Sequence, residues 1–311
     1  GGTLENKVSY YKITSDDIEV GAPTKTGYTF NGWKNEKTGE ITEKILIPTG
    51  STGDREYTAL WLINTYQQIL NVRYENVDGT FTDYEEIANE VKDYGSTFEW
   101  KRDADSEFET GYMSYTVEES RTEDITIYRK KYNLTIDAAL DGNYFTNLDS
   151  MGTVSVFVNG ETVLDDKNGG AISVRSGSTY EVYNIKTNDG YTYNGITKGT
   201  QLGIVSANTT VRLSYSIIPY TISYDLNGGS GATGNPKGYT VKSEDIKLEE
   251  PTRENYDFIG WSLSSDPAVK ETIIKKGSTG DRKYVAKWTA KEFKITYNLD
   301  GGTLHGEQNT F

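Results

Sequence analysis

Tyr256-Asp257-Phe258-Ile259-Gly260-Trp261, Gly277-Ser278-Thr279-Gly280-Asp281-Arg282 and Tyr284-Val285-Ala286-Lys287-Trp288 are three blocks that the chain has already used once. They restate, in the same order, Tyr28-Thr29-Phe30-Asn31-Gly32-Trp33, Gly50-Ser51-Thr52-Gly53-Asp54-Arg55 and Tyr57-Thr58-Ala59-Leu60-Trp61, with one residue of drift between the first block and the second. A third copy opens at Phe293, where Ile295-Thr296-Tyr297-Asn298-Leu299-Asp300-Gly301-Gly302 restates Ile222-Ser223-Tyr224-Asp225-Leu226-Asn227-Gly228-Gly229, a step of 73 residues. A fixed period is the signature of a modular array, and it constrains every later reading.

The parts of the repeat make physical sense. Tyr220 to Leu226 and Phe293 to Leu299 alternate, which puts their apolar residues on one face of a strand. Pro23 and Pro251 precede an aromatic strand, where a fixed φ and a missing N–H do least harm. Gly32 and Gly260 precede a tryptophan and leave room for close packing. Trp33, Trp61, Trp261 and Trp288 recur at matching positions. They read as the core of a module too small to do without large side chains, in preference to a sugar-stacking platform. Gly-Ser-Thr-Gly-Asp-Arg lacks the Gly-Lys-Ser/Thr ending of a phosphate loop and reads as a turn.

These motifs, in this order, resemble the Listeria–Bacteroides repeat, or internalin B-repeat, of bacterial surface proteins. The resemblance covers residues 1–61, 219–289 and the opening of a copy at 290–311. It implies a small β-grasp-like module, an extracellular bacterial location, and a spacer or adhesive role without catalytic residues.

The 311-residue length suits two to four domains. With 35% hydrophobic residues but 24 Tyr and 5 Trp, the chain should fold as several small cores. Its 32 Gly against 6 Pro read as many tight turns. Cysteine is absent, which excludes disulfides, thiolate chemistry and cysteine-based metal sites. No run of about 18 apolar residues is present to span a membrane. Neither a signal peptide nor a wall-sorting sequence is visible, and the chain opens in mid-repeat, so it reads as a fragment of a longer secreted or wall-anchored protein.

The net charge of −14 is unevenly placed: residues 62–218 carry 13 basic and 24 acidic side chains, whereas residues 219–289 carry 10 of each. Nucleic acid binding, which needs clustered Lys and Arg, is disfavoured. The acidic middle reads as a solvated surface, or else as a site for cations or a basic partner.

Residues 62–130 are loosely similar to mucin-binding-type modules, through turn spacing and alternation. Ile69 to Tyr74 and Asp124 to Arg129 read as strands, with Asp78-Gly79 as a hairpin turn. Thr82 to Tyr94 is expected as a short helix or irregular segment, with Ile87 and Val91 four apart and Gly95 as the stop, although the same residues also fit alternation. Asn76, Asp78, Gly79 and Glu85 match positions of a calcium loop, but Tyr74 stands where its first carboxylate belongs. Residues 131–218 read as another β module, a small sandwich or second grasp-like sheet. Its turns are expected at Asp141-Gly142, Asn159-Gly160, Asp189-Gly190 and Asn194-Gly195, with an acidic loop at Asp165 to Gly170.

The fold class expected is mainly β or α+β, an elongated tandem array of β-grasp-like repeats flanking two small all-β or grasp-like modules. Its divisions are 1–61, 62–130, 131–218, 219–289 and the truncated copy 290–311. The only histidine is His305, which leaves no basis for a Ser-His-Asp triad or a histidine metal site. Carboxylates are plentiful, yet nothing singles out a glycosidase-like pair. No catalytic, cofactor-binding or metal-binding residue is assigned, and no cofactor is expected.

The function expected is that of a non-catalytic modular stalk or adhesion spacer; the alternative is that the middle modules bind a host protein or glycan. One further partner follows from the repeat itself. The first copy begins at Gly1-Gly2, after the point where its opening strand would end, while Phe293 to Leu299 carries such a strand unused. That strand is expected either to fill the open edge of the first module in another molecule, head to tail, or to pack locally.

Overall fold

Alternating apolar side chains write nearly the whole chain into strands. The structure is a computed structural model describing residues 1–268, 270–303 and 306. His305 and most of the chain's last residues lie outside it. Among the described residues there is no α-helix, only a 3-10 turn at Asp149–Met151. The mainly β reading holds; nothing in the described residues supplies the α of an α+β fold.

Four apolar clusters follow one another along the chain. In the first, Tyr28–Asn35 pairs antiparallel with Ile41–Thr42 on one side and Tyr57–Ile63 on the other. A ribbon of Ile18–Val20 and Ile45–Ile47 lies beside it, and Val20, Trp33 and Ile45 are buried between them. The last cluster repeats this plan with one addition. Tyr256–Leu263 pairs antiparallel with Arg282–Ala290, and Arg282–Ala290 also takes Tyr220–Asp225 as a parallel neighbour. That neighbour puts Ile222 into a core with Leu248, Trp261, Ile274 and Tyr284.

Between them, Thr65–Tyr74 runs parallel to Arg121–Ile127 and antiparallel to Glu85–Asp93. The hairpin Thr97–Arg102 with Gly111–Thr116 contributes Phe98 to a core with Leu70, Val72 and Ile127. Gln68 shares that inward face and is satisfied there. Its amide donates to Glu119 O at 2.9 Å, and the Tyr115 hydroxyl donates to its Oε1 at 2.8 Å. The largest core draws on two sheets. Lys131–Leu140 and Thr209–Ile217 are parallel at the centre of one. The other holds Gly152–Val158 between Glu161–Lys167 and Thr179–Thr187. Leu134, Ile136, Val154, Val156, Val182 and Leu213 are completely buried between these strands.

Three local expectations are corrected. Thr82 to Tyr94 is not helical: Glu85–Asp93 is a strand laddered to Thr65–Tyr74 along its whole length. Its local sequence allowed either form, and the waiting strand edge decided it. As a consequence Ile87 and Val91, placed on an inner helix face by the sequence pattern, stand exposed. Asn194-Gly195 is not a turn but an irregularity inside Tyr191–Lys198, where Tyr193 pairs with Tyr215 and Gly195 with Ser214. Gly195 takes φ 108° there, as a bulge position favours. The Asp165 to Gly170 segment is only partly a loop, because Asp165 and Asp166 belong to the strand Glu161–Lys167.

Candidate functional site

The tryptophans are structural. Trp261 is fully buried and its Nε1 donates to Glu249 O at 3.0 Å; Trp33 repeats this with Gly21 O at 3.1 Å. Phe258 sits edge-on between Trp261 and Trp288, with centroids at 5.6 and 5.5 Å. Phe30 does the same between Trp33 and Trp61, at 5.5 and 5.8 Å. Rings locked this way form a core, and offer no flat platform to a sugar.

The Gly-Ser-Thr-Gly-Asp-Arg turn ties strands together. Gly280 O accepts the Tyr239 hydroxyl at 2.6 Å, and Arg282 reaches Tyr239 at 3.0 Å and Glu271 at 2.7 Å. Burial alone would lower the Arg282 pKa, but hydrogen bonds to Tyr239, Tyr284 and Glu271 outweigh it and hold the guanidinium firmly charged. Asp281 accepts the N–H and hydroxyl of Thr221 at 2.7 and 2.9 Å, which holds its carboxyl below the usual range. Sequence reasoning identified the turn but not these ties.

The calcium-loop candidates are spent on a turn. Asp78 Oδ1 accepts the N–H and hydroxyl of Thr80 at 2.9 and 2.7 Å, which lowers its pKa. Asn76 also bonds Thr80, while Glu85 is paired across the sheet with Val72. Asp166 binds Lys186 and Asn184, and Asp165 accepts the Ser155 hydroxyl. Among the described residues no three His, Cys, Asp or Glu side chains converge as a metal site would require.

Two features do stand out. The first is how successive cores are joined. Asn64 alone separates Tyr57–Ile63 from Thr65–Tyr74. Its N–H donates to Gly27 O at 2.9 Å, and its carbonyl accepts from Tyr94 N at 2.8 Å. The Tyr94 ring lies so close over Gly27 that a Cβ there would sit 1.9 Å from it. At the next junction the buried Glu75 accepts from Arg175 Nε at 2.7 Å and from Arg129 N at 3.0 Å. Arg129 also donates to Ser176 O, and Asn159 to Val77 O. At the third, Ile218 N donates to Gly190 O at 2.9 Å, and Val241 packs within 2.6 Å of where a Gly190 Cβ would stand.

The second is an exposed aromatic group on the 62–130 segment. Phe81 and Tyr128 meet edge-on at 6.0 Å. The Arg73 guanidinium lies 4.7 Å from the ring centres of both Phe81 and Tyr84, and its Nε is fixed to the Thr126 hydroxyl at 2.9 Å. Phe81, Tyr84 and Tyr128 are 38%, 42% and 55% exposed. The sequence held each residue but not their convergence, which the pairing of Arg121–Ile127 with Thr65–Tyr74 creates.

Residues 1–55 and 220–287 match the Listeria–Bacteroides repeat domain. A Gly-rich membrane protein of Evansella cellulosilytica is 24% identical over 315 residues, covering 94% of this chain and 33% of that protein. Another membrane protein of the same organism is 28% identical over 101 residues, covering 32% of this chain and 15% of its own length. The chain thus spans about a third or less of the curated relatives it matches. Among solved structures, the Bacillus anthracis TIE protein gives a TM-score of 0.37 at 11% identity, covering 93% of this chain and 73% of its own. A streptococcal ancillary pilin gives 0.22 at 9%, covering 72% and 99%. No helix among the described residues is long and apolar enough to cross a membrane.

Proposed function

We propose that this chain is a non-catalytic stalk segment of a bacterial cell-surface protein. Its modules are residues 1–61, 62–130, 131–218 and 219–289, with 290–311 opening a further repeat, and it holds an adhesive region away from the cell wall. The observation that carries this reading is the set of three tight junctions. Each has at most three residues between strands, a glycine beneath a neighbour's side chain, and main-chain hydrogen bonds across it. Junctions of that kind transmit orientation from module to module, as in a solenoid. The accessible surface supports it too. The chain exposes 19,975 Å², against about 13,000 Å² for a single compact protein of this mass. The match of its two flanking segments to a repeat domain fits the same role. Its partners are the neighbouring modules of a parent protein and a second copy of itself through Phe293–Leu299.

Small-angle scattering tests this. The intact chain should give a radius of gyration well above the ~20 Å of a compact 311-residue protein. The curve should keep a stiff profile that loosens in a Tyr94→Ala and Glu75→Gln double variant. A radius near the compact value sinks the stalk reading.

A second reading rests on the aromatic group. Three exposed rings around a fixed guanidinium suit the apolar face and acidic group of a glycan, so the 62–130 module would be a binder as well as a spacer. A glycan array probed with the chain and with a Tyr84→Ala, Tyr128→Ala variant checks it. An acidic glycan bound by the first and lost by the second is expected, and equal binding by both refutes it.

A further inference from the structure

The two repeats differ along one edge. In the second, Ile222 lies opposite Arg282 and Tyr224 opposite Tyr284, in parallel register. Tyr224 packs on Trp261 and Tyr284 with centroids at 5.4 and 5.8 Å. In the first, Arg55 to Thr58 has no strand on that side among the described residues, and Tyr57–Ile63 is paired only with Tyr28–Asn35. A groove of about 640 Å³ lies there instead, walled by Ile18, Val20, Ile45, Ile47 and Tyr57. Val20, Ile47 and Tyr57 correspond to Leu248, Ile274 and Tyr284, which are 4%, 2% and 0% exposed under their neighbouring strand.

The matching piece is present in the same chain. Phe293, Ile295, Tyr297 and Leu299 restate Tyr220, Ile222, Tyr224 and Leu226. They are 71%, 72%, 62% and 41% exposed, in a stretch with no strand pairing among the described residues. An open sheet edge above an apolar groove and a free segment with alternate apolar side chains are complementary.

We propose that Phe293–Leu299 of one copy of this chain adds to Arg55–Thr58 of another as a parallel strand. This rests on a second copy being the partner and gives that partner its site; the stalk reading does not depend on it. The register follows from the second repeat. Ile295 lies opposite Arg55, Tyr297 opposite Tyr57 and Asn298 opposite Thr58. Charge favours it as well. Where Asp281 accepts two hydrogen bonds from Thr221, the corresponding residues are Asp54, beside the groove, and Lys294, an opposite charge on the incoming strand. Beyond Leu299 the donor chain turns away. Gly2 of the recipient already lies against Trp61 as Gly229 lies against Trp288, in the place Gly302 would need. Each copy offers one groove and one strand, so the contact is heterologous and grows into chains of copies unless the rotation closes a ring.

Light scattering after size exclusion, over a wide concentration range, tests it. Three samples are compared: the intact chain, an Ile295→Asp, Tyr297→Asp variant, and the intact chain with excess peptide of sequence Glu292 to Asp300. Both substitutions fall on exposed residues and leave the folded modules alone. The intact chain should grow in mass with concentration, and the variant should stay at one copy. The peptide should return the intact chain to one copy and slow amide exchange at Glu56 and Thr58, which a scrambled peptide should not do. Replacing the residue equivalent to Ile295 in the peptide by Asp should weaken it by about tenfold or more, as loss of one buried Ile implies. An intact chain that stays at one copy throughout overturns the proposal even if the peptide binds. Growth that survives the double substitution overturns it as well. A compact scattering profile would remove the stalk reading and leave this result untouched.

Discussion

Tyr215 is 1% exposed, and its hydroxyl finds no hydrogen-bond partner among the described residues. Burial first, and then the neighbouring Tyr193, push its pKa up to about 12. A raised folded pKa favours the neutral form, so its contribution is whole below the unfolded value near 10. It is lost as pH rises through about 12, when the unfolded chain has ionised and the folded one has not. Tyr215→Phe removes an unsatisfied polar atom and the titration together. At pH 8 the variant should equal the parent or exceed it by about 1 kcal/mol in urea unfolding. Between pH 10 and 12 it should lose roughly 2 kcal/mol less than the parent. Equal losses would show that the phenol is not shielded as its burial implies. The sequence could place Tyr215 on an alternating strand, but not tell that its hydroxyl would end against side chains that cannot bond it.

At the scale of the element, the two repeats are one experiment run twice. The strand Arg282–Ala290 is paired on both sides along its first half, whereas Tyr57–Ile63 is paired on one side only. Amide exchange measures this directly. At low concentration, Tyr57 and Thr58 should exchange at least about tenfold faster than Tyr284 and Val285, since opening them breaks fewer hydrogen bonds and uncovers a smaller core. Equal protection in a dilute sample would mean that the first repeat fills its edge by some other route. Elements also show where local reading ends. Ile87 and Val91 are four apart and invite a helix, but Thr65–Tyr74 presents a free edge that Glu85–Asp93 completes. The Asn194-Gly195 pair carries the composition of a turn, yet lies in a strand whose ladder to Thr209–Ile217 continues on both sides of it. In both places a partner far along the chain outweighed a local preference worth less than the ladder it forms.

At the scale of the whole molecule, several small cores and rigid joints replace one large core. The segment 131–218 holds seventeen buried apolar residues, and the first repeat only three. A core that small gains from its neighbours, which is why Tyr94 and Val241 lean across junctions on glycines that leave them room. Glu75 is the costliest joint member. A buried carboxylate is tolerable only with partners, and here they are Arg175 from the next segment and the Arg129 N–H. The repeat, the β character, the tryptophan cores and the tight turns were determined by the sequence alone, because each rests on local alternation, glycine and proline geometry, or self-similarity within the chain. Only the tertiary structure decided the strand at Glu85–Asp93, the fastening of the junctions, the gathering of Phe81, Tyr84 and Tyr128 around Arg73, and the match between a free edge at Arg55–Thr58 and a free strand at Phe293–Leu299. Each of these depends on which distant segments meet, and the energy of such a meeting is written in no single stretch of the chain.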